Sequence, residues 1–170
     1  MNIEKSNQSG FDSRAYRDAL GCFGTGVCLV AADDKEGKPR AITVNSFSSV
    51  SLHPPIILWS IDSQSDRYNL FTESELFSVN VLPASDAEVS THFARYVEAE
   101  LKGDQLARDS NGVPVYTGAL SQFVCRTSWR QKAGDHVVIF GDVIGFNSRD
   151  GDALGFFRGN YTSHSSPDLK

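Results

Sequence analysis

A chain of 170 residues and 18.6 kDa has the length of one domain and can bury roughly 70% of its unfolded surface without staples. Hydrophobic residues at 40% and charged residues at 22% exclude a disordered chain, a collagen-like repeat and a disulfide scaffold. A net charge of −5 argues against nucleic-acid binding, which needs a basic face.

Residues 1–10 are polar and are expected to form a mobile N-terminal segment, with the folded domain at 11–163 and a tail at 164–170. From Ser13, the residues Ala15, Tyr16, Ala19, Leu20 and Phe23 recur at helical spacing, and Gly21, Gly24 and Gly26 end that helix. The uncharged run 19–32 is no signal peptide, because Asp12 and Asp18 interrupt its basic flank and glycines break its apolar stretch. VCLVAA at 27–32 reads as a buried strand, and DDKEGKP at 33–39 as the turn of a hairpin. Residues 40–47 alternate, placing Ile42 and Val44 on one face and Thr43, Asn45 and Phe47 on the other.

IILWSI at 56–61 and LFSVNVL at 76–82 are further buried strands. Ser85 and Glu88 have the spacing of a capping box ahead of a helix over 86–97, where Val89, Phe93 and Val97 share a face. Residues 98–118 are charged and rich in glycine and read as a long surface loop. Phe123, Cys125, Thr127 and Trp129 alternate in a strand, and 136–146 is a long strand bent at Gly141. Strands in succession with only short helices between them predict a mainly β chain closed into an antiparallel barrel.

Cys22, Cys28 and Cys125 form no Cys-x-x-Cys pair, and the four histidines (His53, His92, His136 and His164) lie far apart, so no metal site is expected. Reduced thiols and a cytoplasmic location follow from the same cysteine usage. GCFGTG at 21–26 follows a helix and precedes a strand, the reverse of a dinucleotide fingerprint.

The densest unusual stretch is TVNSFSSVSLHPP at 43–55, where Thr43, Asn45, Ser46, Ser48, Ser49 and Ser51 crowd small donors together. Such donors can cradle a phosphate or bond the rim of a planar heterocycle. On composition alone, a polar strand edge running into a turn is the simpler reading. Arg95 stands near a helix end, either as a phosphate fork or as a solvated cation favoured by the helix dipole. His136, in GDH at 134–136, opens a strand, either as a ligand contact or in water.

Read in order, ALGCFGTGV at 19–27, TVNSFSSVSLHPP, LFSVNVL, STHFA at 90–94, GDH and RGNY at 158–161 resemble the flavin reductase-like family, the short-chain reductase components of two-component monooxygenases. The resemblance runs from about residue 14 to 162. It implies a six-stranded antiparallel split β-barrel with an FMN-binding site, assembled as a homodimer. It implies an NAD(P)H:flavin oxidoreductase that takes FMN or FAD, uses NADH or NADPH, and releases reduced flavin to a partner monooxygenase. Thr43, Asn45, Ser46, Ser49, Val50 and Ser51 are the implied contacts of the flavin ring and ribityl chain. Ser90, Phe93, Ala94 and Arg95 are those near its phosphate, and His136 and Tyr161 those near the nicotinamide nucleotide, with His136 positioning the reacting ring. ALGFFRGN at 153–160 departs from the leucine-tyrosine pattern usual before the final Gly-x-Tyr.

The implied reaction passes a hydride from nicotinamide C4 to flavin N5, and the protein supplies orientation and electrostatics. No acid–base residue is required, in keeping with the absence of a paired-carboxylate or nucleophile motif. Two other readings share these residues: a flavin-binding electron carrier or storage protein without turnover, and a non-catalytic barrel used for protein interaction.

Overall fold

The computed structural model describes residues 12–165, and strands dominate it; the N-terminal segment expected at 1–10 and most of the tail expected at 164–170 lie outside the described residues. Helix α1 (Ser13–Leu20) starts where the Asp12 carboxylate accepts from the backbone N–H of Arg14 and Ala15, at 2.8 and 3.0 Å. β1 (Thr25–Gly26) and β2 (Cys28–Asp33) follow. Then come β3 (Pro39–Val44), β4 (Ser48–Leu52), β5 (Pro55–Asp62), α2 (Tyr68–Glu73) and β6 (Leu76–Val81). Helix α3 (Ala87–Arg95) precedes β7 (Leu106–Arg108), β8 (Pro114–Tyr116), β9 (Ser121–Ala133) and β10 (His136–Ser148). β11 (Ala153–Phe157) and β12 (Asn160–His164) close the described chain.

β2 is apolar at successive positions because both its faces are covered. Cys28, Val30 and Ala32 point into one core with Trp59, Phe71, Phe77 and Ile139. Val27, Leu29 and Ala31 point into a second core with Leu82, Phe93, Leu101 and Leu154. The expected hairpin is present, with Leu29 opposite Thr43 and Asp33 opposite Pro39.

The main sheet has 7 strands in the order β3-β2-β6-β9-β10-β5-β4, every pair antiparallel. The expected count of six is thereby corrected: residues 48–62 fold back on themselves, and β4 adds a seventh strand at the edge. Only Asn45, Ser46 and Phe47 link β3 at one edge to β4 at the other. Four peptide steps span at most about 14 Å, so the sheet must curl until its two edges face each other. No ladder joins those edges among the described residues, which leaves an open, strongly curved sheet with a split. Two register shifts in the β9–β10 hairpin, at Phe140/Gly141 and Val143/Gly145, bend the long strands that must follow this curve.

Two local expectations are also corrected. The Ser85 hydroxyl bonds the Asp86 carboxylate at 2.8 Å, so no capping box forms, and α3 ends at Arg95 rather than 97. Residues 98–118 are not a surface loop, because Leu101, Val113, Val115 and Tyr116 are buried and β7 pairs with β8. Among the described residues no helix is long and apolar enough to cross a membrane, and no group of three or more metal-ligating side chains is clustered.

Candidate functional site

A cavity of about 1100 Å³ lies between α1 and the β11–β12 hairpin, and Asn45 from the β3–β4 link reaches its wall. Leu20, Phe23, Thr25, Asn45, Phe156 and Arg158 line it. Two features bring its walls together. Gly21 caps α1, and a Cβ there would lie 3.4 Å from the Arg158 Cα, so glycine permits the close approach. The Arg158 N–H then donates to the Gly21 carbonyl at 3.0 Å, while Arg158 itself takes a left-handed φ of 48° in the hairpin turn. Its guanidinium reaches the Cys22 Sγ at 3.4 Å and lies 5.4 Å from the Phe157 ring centre.

Of the residues expected at the flavin, Asn45 alone lines this cavity. Its amide is exposed and has no hydrogen-bond partner among the described residues. The Thr25 hydroxyl oxygen is buried and equally without a partner. An open amide, an orphaned hydroxyl and the rings of Phe23 and Phe156 form a neutral donor–acceptor rim with apolar walls. That set fits a planar heterocycle edged with carbonyl and N–H groups.

A second cluster lies behind Tyr161, whose ring meets Phe156 edge-on across the hairpin at 5.8 Å. The Tyr161 and Ser90 hydroxyls are 2.8 Å apart, and the Thr91 hydroxyl is 3.4 Å from Tyr161. Thr43 donates to the Ser90 carbonyl at 2.6 Å, tying β3 to α3. Thus Thr43, Ser90 and Tyr161 do come together.

The other expected contacts are dispersed. The Ser46 hydroxyl is committed to β5, accepting from the Ser60 N–H and donating to the Ser60 carbonyl, each at 3.0 Å. Ser49 and Val50 are exposed, and Ser51 half-buried, on edge strand β4. The Phe93 ring is 1% exposed and packs in the second core, so it anchors α3 rather than facing a ligand. Ala94 and Arg95 stand exposed at the end of α3. His136 lies outside the cavity lining, at the β9–β10 turn, where its Nδ1 is 2.7 Å from the Asp135 carboxylate. That contact holds the Asp135 carboxyl below the usual carboxylate range.

Phe23, Thr25, Phe156 and Arg158 escaped the sequence reading as site residues. The signals present were GCFGTG at 21–26, which holds Phe23 and Thr25, and ALGFFRGN at 153–160, which holds Phe156 and Arg158.

The sequence model of the flavin reductase like domain matches residues 20–165. An FMN reductase (NADH) of Agrobacterium fabrum, SmoA, is 44% identical over 152 residues, covering 89% of this chain and 86% of that protein. The reductase component of a flavin-dependent trigonelline monooxygenase of Acinetobacter baylyi is 36% identical over 148 residues. That match covers 87% of this chain and 48% of the relative, so the chain spans about half of its length. Among solved structures, the NADH:FAD oxidoreductase SgcE6 of Streptomyces globisporus, in complex with NAD and FAD fragments, superposes with a TM-score of 0.86. It is 27% identical, with 99% of this chain and 100% of that chain covered.

Proposed function

The chain belongs to the flavin reductase like domain family, and from that premise we propose that it is an NAD(P)H-dependent flavin reductase supplying reduced flavin to a monooxygenase. When bound, the flavin accepts a hydride at N5 from C4 of the reduced nicotinamide. FMN or FAD is the flavin, and NADH or NADPH the donor.

The observation that carries this reading is the pairing of an open Asn45 amide with an orphaned Thr25 hydroxyl in the lining of one cavity. Buried polar atoms are almost always partnered, so a lone hydroxyl in a cavity wall marks a place for a ligand atom. Asn45 and Thr25 orient the ring edge, and Phe23 and Phe156 exclude water from its faces. Arg17 and Arg158 supply positive potential to an anionic ligand, offset in part by Asp18. Thr43, Ser90 and Arg95 serve the ribityl and phosphate end, where the buried Phe93 anchors the helix that carries Ser90 and Arg95. His136 and Tyr161 serve the nicotinamide nucleotide.

A homodimer belongs to the same proposal. Trp129 stacks on Phe140 at 4.0 Å, with Leu58 beside Phe140 in register, on the sheet face turned away from Ile139 and its core. Phe146, further along β10, and Leu52, on β4, are 76% and 80% exposed. An uncovered row of this kind suits a second copy, and light scattering of the purified protein reads the mass directly.

The reductase reading is tested by mixing the protein anaerobically with FMN or FAD and then NADH or NADPH. Catalytic bleaching of excess flavin is the expected result. Flavin binding without turnover would assign the chain as a carrier, and no binding at all would remove the site.

A further inference from the structure

The three-stranded sheet β1-β11-β12 carries different residues on its two faces. Thr25, Phe156 and Tyr161 form one cross-strand row, in which Thr25 and Phe156 line the main cavity. Gly26, Gly155 and Thr162 form the next row, on the opposite face.

His164 belongs to that opposite face, two residues beyond Thr162 on β12. Its imidazole crosses β11 over Gly155, and its Nε2 stands 3.1 Å from the carbonyl oxygen of Thr25 on β1, 139 residues away in the chain. A carbonyl oxygen only accepts, so Nε2 carries the proton and donates. The crossing requires glycine at 155, because a Cβ there would lie 2.6 Å from the His164 Nε2 and 2.9 Å from its Cδ2. Gly155 lies within ALGFFRGN, the stretch that departs from the family pattern.

Thr25 is a residue that needs such a tie. Its strand is two residues long and pairs with β11 only through Thr25 and Gly26. Gly24 and Gly26 flank it, leaving the backbone on both sides its full conformational freedom and no side chain to anchor it. A Cβ at Gly26 would meet nothing within 4 Å, and one at Gly24 only the Phe157 ring at 3.7 Å. The Thr25 hydroxyl oxygen is nevertheless buried in the cavity wall without a partner, and its value to a ligand depends on how firmly the backbone holds it.

We propose that His164 is a positioning residue of the flavin site. From the far face of the sheet it holds the Thr25 carbonyl across Gly155, and thereby aims the Thr25 hydroxyl at the flavin without touching it. The proposal rests on the reading of the main cavity as the flavin site.

The test uses the full chain with His164→Leu, which removes the donor, and His164→Gln, which returns an N–H at a similar reach. In the ligand-free protein, an HNCO spectrum reads the Thr25 carbonyl carbon through the Gly26 amide. That resonance should move upfield in His164→Leu and stay near its wild-type position in His164→Gln. The Kd for FMN should rise about fivefold in His164→Leu, the worth of one hydrogen bond acting through the backbone, and return to within about twofold of wild type in His164→Gln. In a Thr25→Val background, His164→Leu should add no further loss, because the hydroxyl that it aims is gone. A general loss of structure would instead weaken binding in both backgrounds alike. A Thr25 carbonyl resonance that is the same in all three proteins overturns the proposal, as does a full additional loss on the Thr25→Val background, or a Gln variant as weak as the Leu variant. FMN that fails to bind the wild type would overturn the flavin reading itself, and the carbonyl resonance would still decide whether His164 holds Thr25.

Discussion

The Ser90 and Tyr161 hydroxyls, 71 residues apart in the chain, meet at 2.8 Å and pin the β11–β12 hairpin to α3. The pin matters because the Tyr161 ring packs edge-on against Phe156, a wall of the main cavity, at 5.8 Å. A neutral, part-buried bond of this kind contributes about 0.5–1.5 kcal/mol. Ser90→Ala and Tyr161→Phe should each lower stability by that amount, and the double variant by less than the sum. Urea unfolding of the four proteins checks it, and strict additivity would show that the two groups act independently.

How far the sequence reveals this depends on where each residue finds its partner. Residues 27–32 are legible as a buried strand because burial on both faces writes an apolar side chain at each position. Leu101, Val113, Val115 and Tyr116 are not legible, because their partners are remote. The buried Ser78 hydroxyl donates to the Pro114 carbonyl at 2.6 Å, and the Tyr116 N–H donates to the Asn80 side chain at 2.9 Å, each across 36 residues. A glycine- and charge-rich stretch thereby becomes a covered hairpin. The site divides in the same way. Asn45 stands out in a run of small donors, whereas Arg158 joins the cavity through contacts to the turn after α1, at Gly21 and at Cys22, the latter 136 residues away.

Asn45→Ala and Thr25→Val should each weaken FMN binding about tenfold, the worth of one well-placed hydrogen bond. Flavin fluorescence quenching measures it. Unchanged affinity in both would place the ring outside this cavity.

His136→Ala should slow reduction by NADH on the order of tenfold through lost positioning, with flavin affinity little changed. Stopped-flow flavin bleaching beside an equilibrium titration separates the two effects. Lost flavin binding would reverse the assignment of His136 to the nicotinamide.

Gly141 sits at a register shift in β10, where an added Cβ would lie 2.6 Å from the Phe77 ring and 2.9 Å from the Cys125 Cβ. Overpacking of this kind costs about 1–3 kcal/mol. Gly141→Ala should lower the thermal midpoint accordingly, and Phe77→Leu in the same chain should recover part of the loss.

Thiol reactivity should divide along burial. Cys22 is exposed, whereas Cys28 and Cys125 are buried, and burial pushes both of their thiols up to about 12. A disulfide reagent at neutral pH should therefore modify Cys22 alone in the native protein and all 3 thiols after denaturation. Rapid modification of Cys125 in the native state would show that the core between β6, β9 and β10 opens readily.

Alkaline pH should loosen the covered hairpin through Tyr116. Its hydroxyl donates to the Asp86 carboxylate at 2.7 Å, and burial, then that carboxylate, raise the phenol above its ordinary value of 10.0. The unfolded phenol ionises near that ordinary value while the folded one stays neutral. The stabilisation is thus complete below about pH 10 and is lost as the pH climbs from there toward the folded value. Tyr116→Phe should be less stable than wild type at about pH 8, and the gap should narrow by about pH 11, because only the wild type then has a phenol to ionise on unfolding. Denaturant midpoints of both proteins across that range provide the measurement, and a gap independent of pH would show that the Asp86 bond does not govern the response.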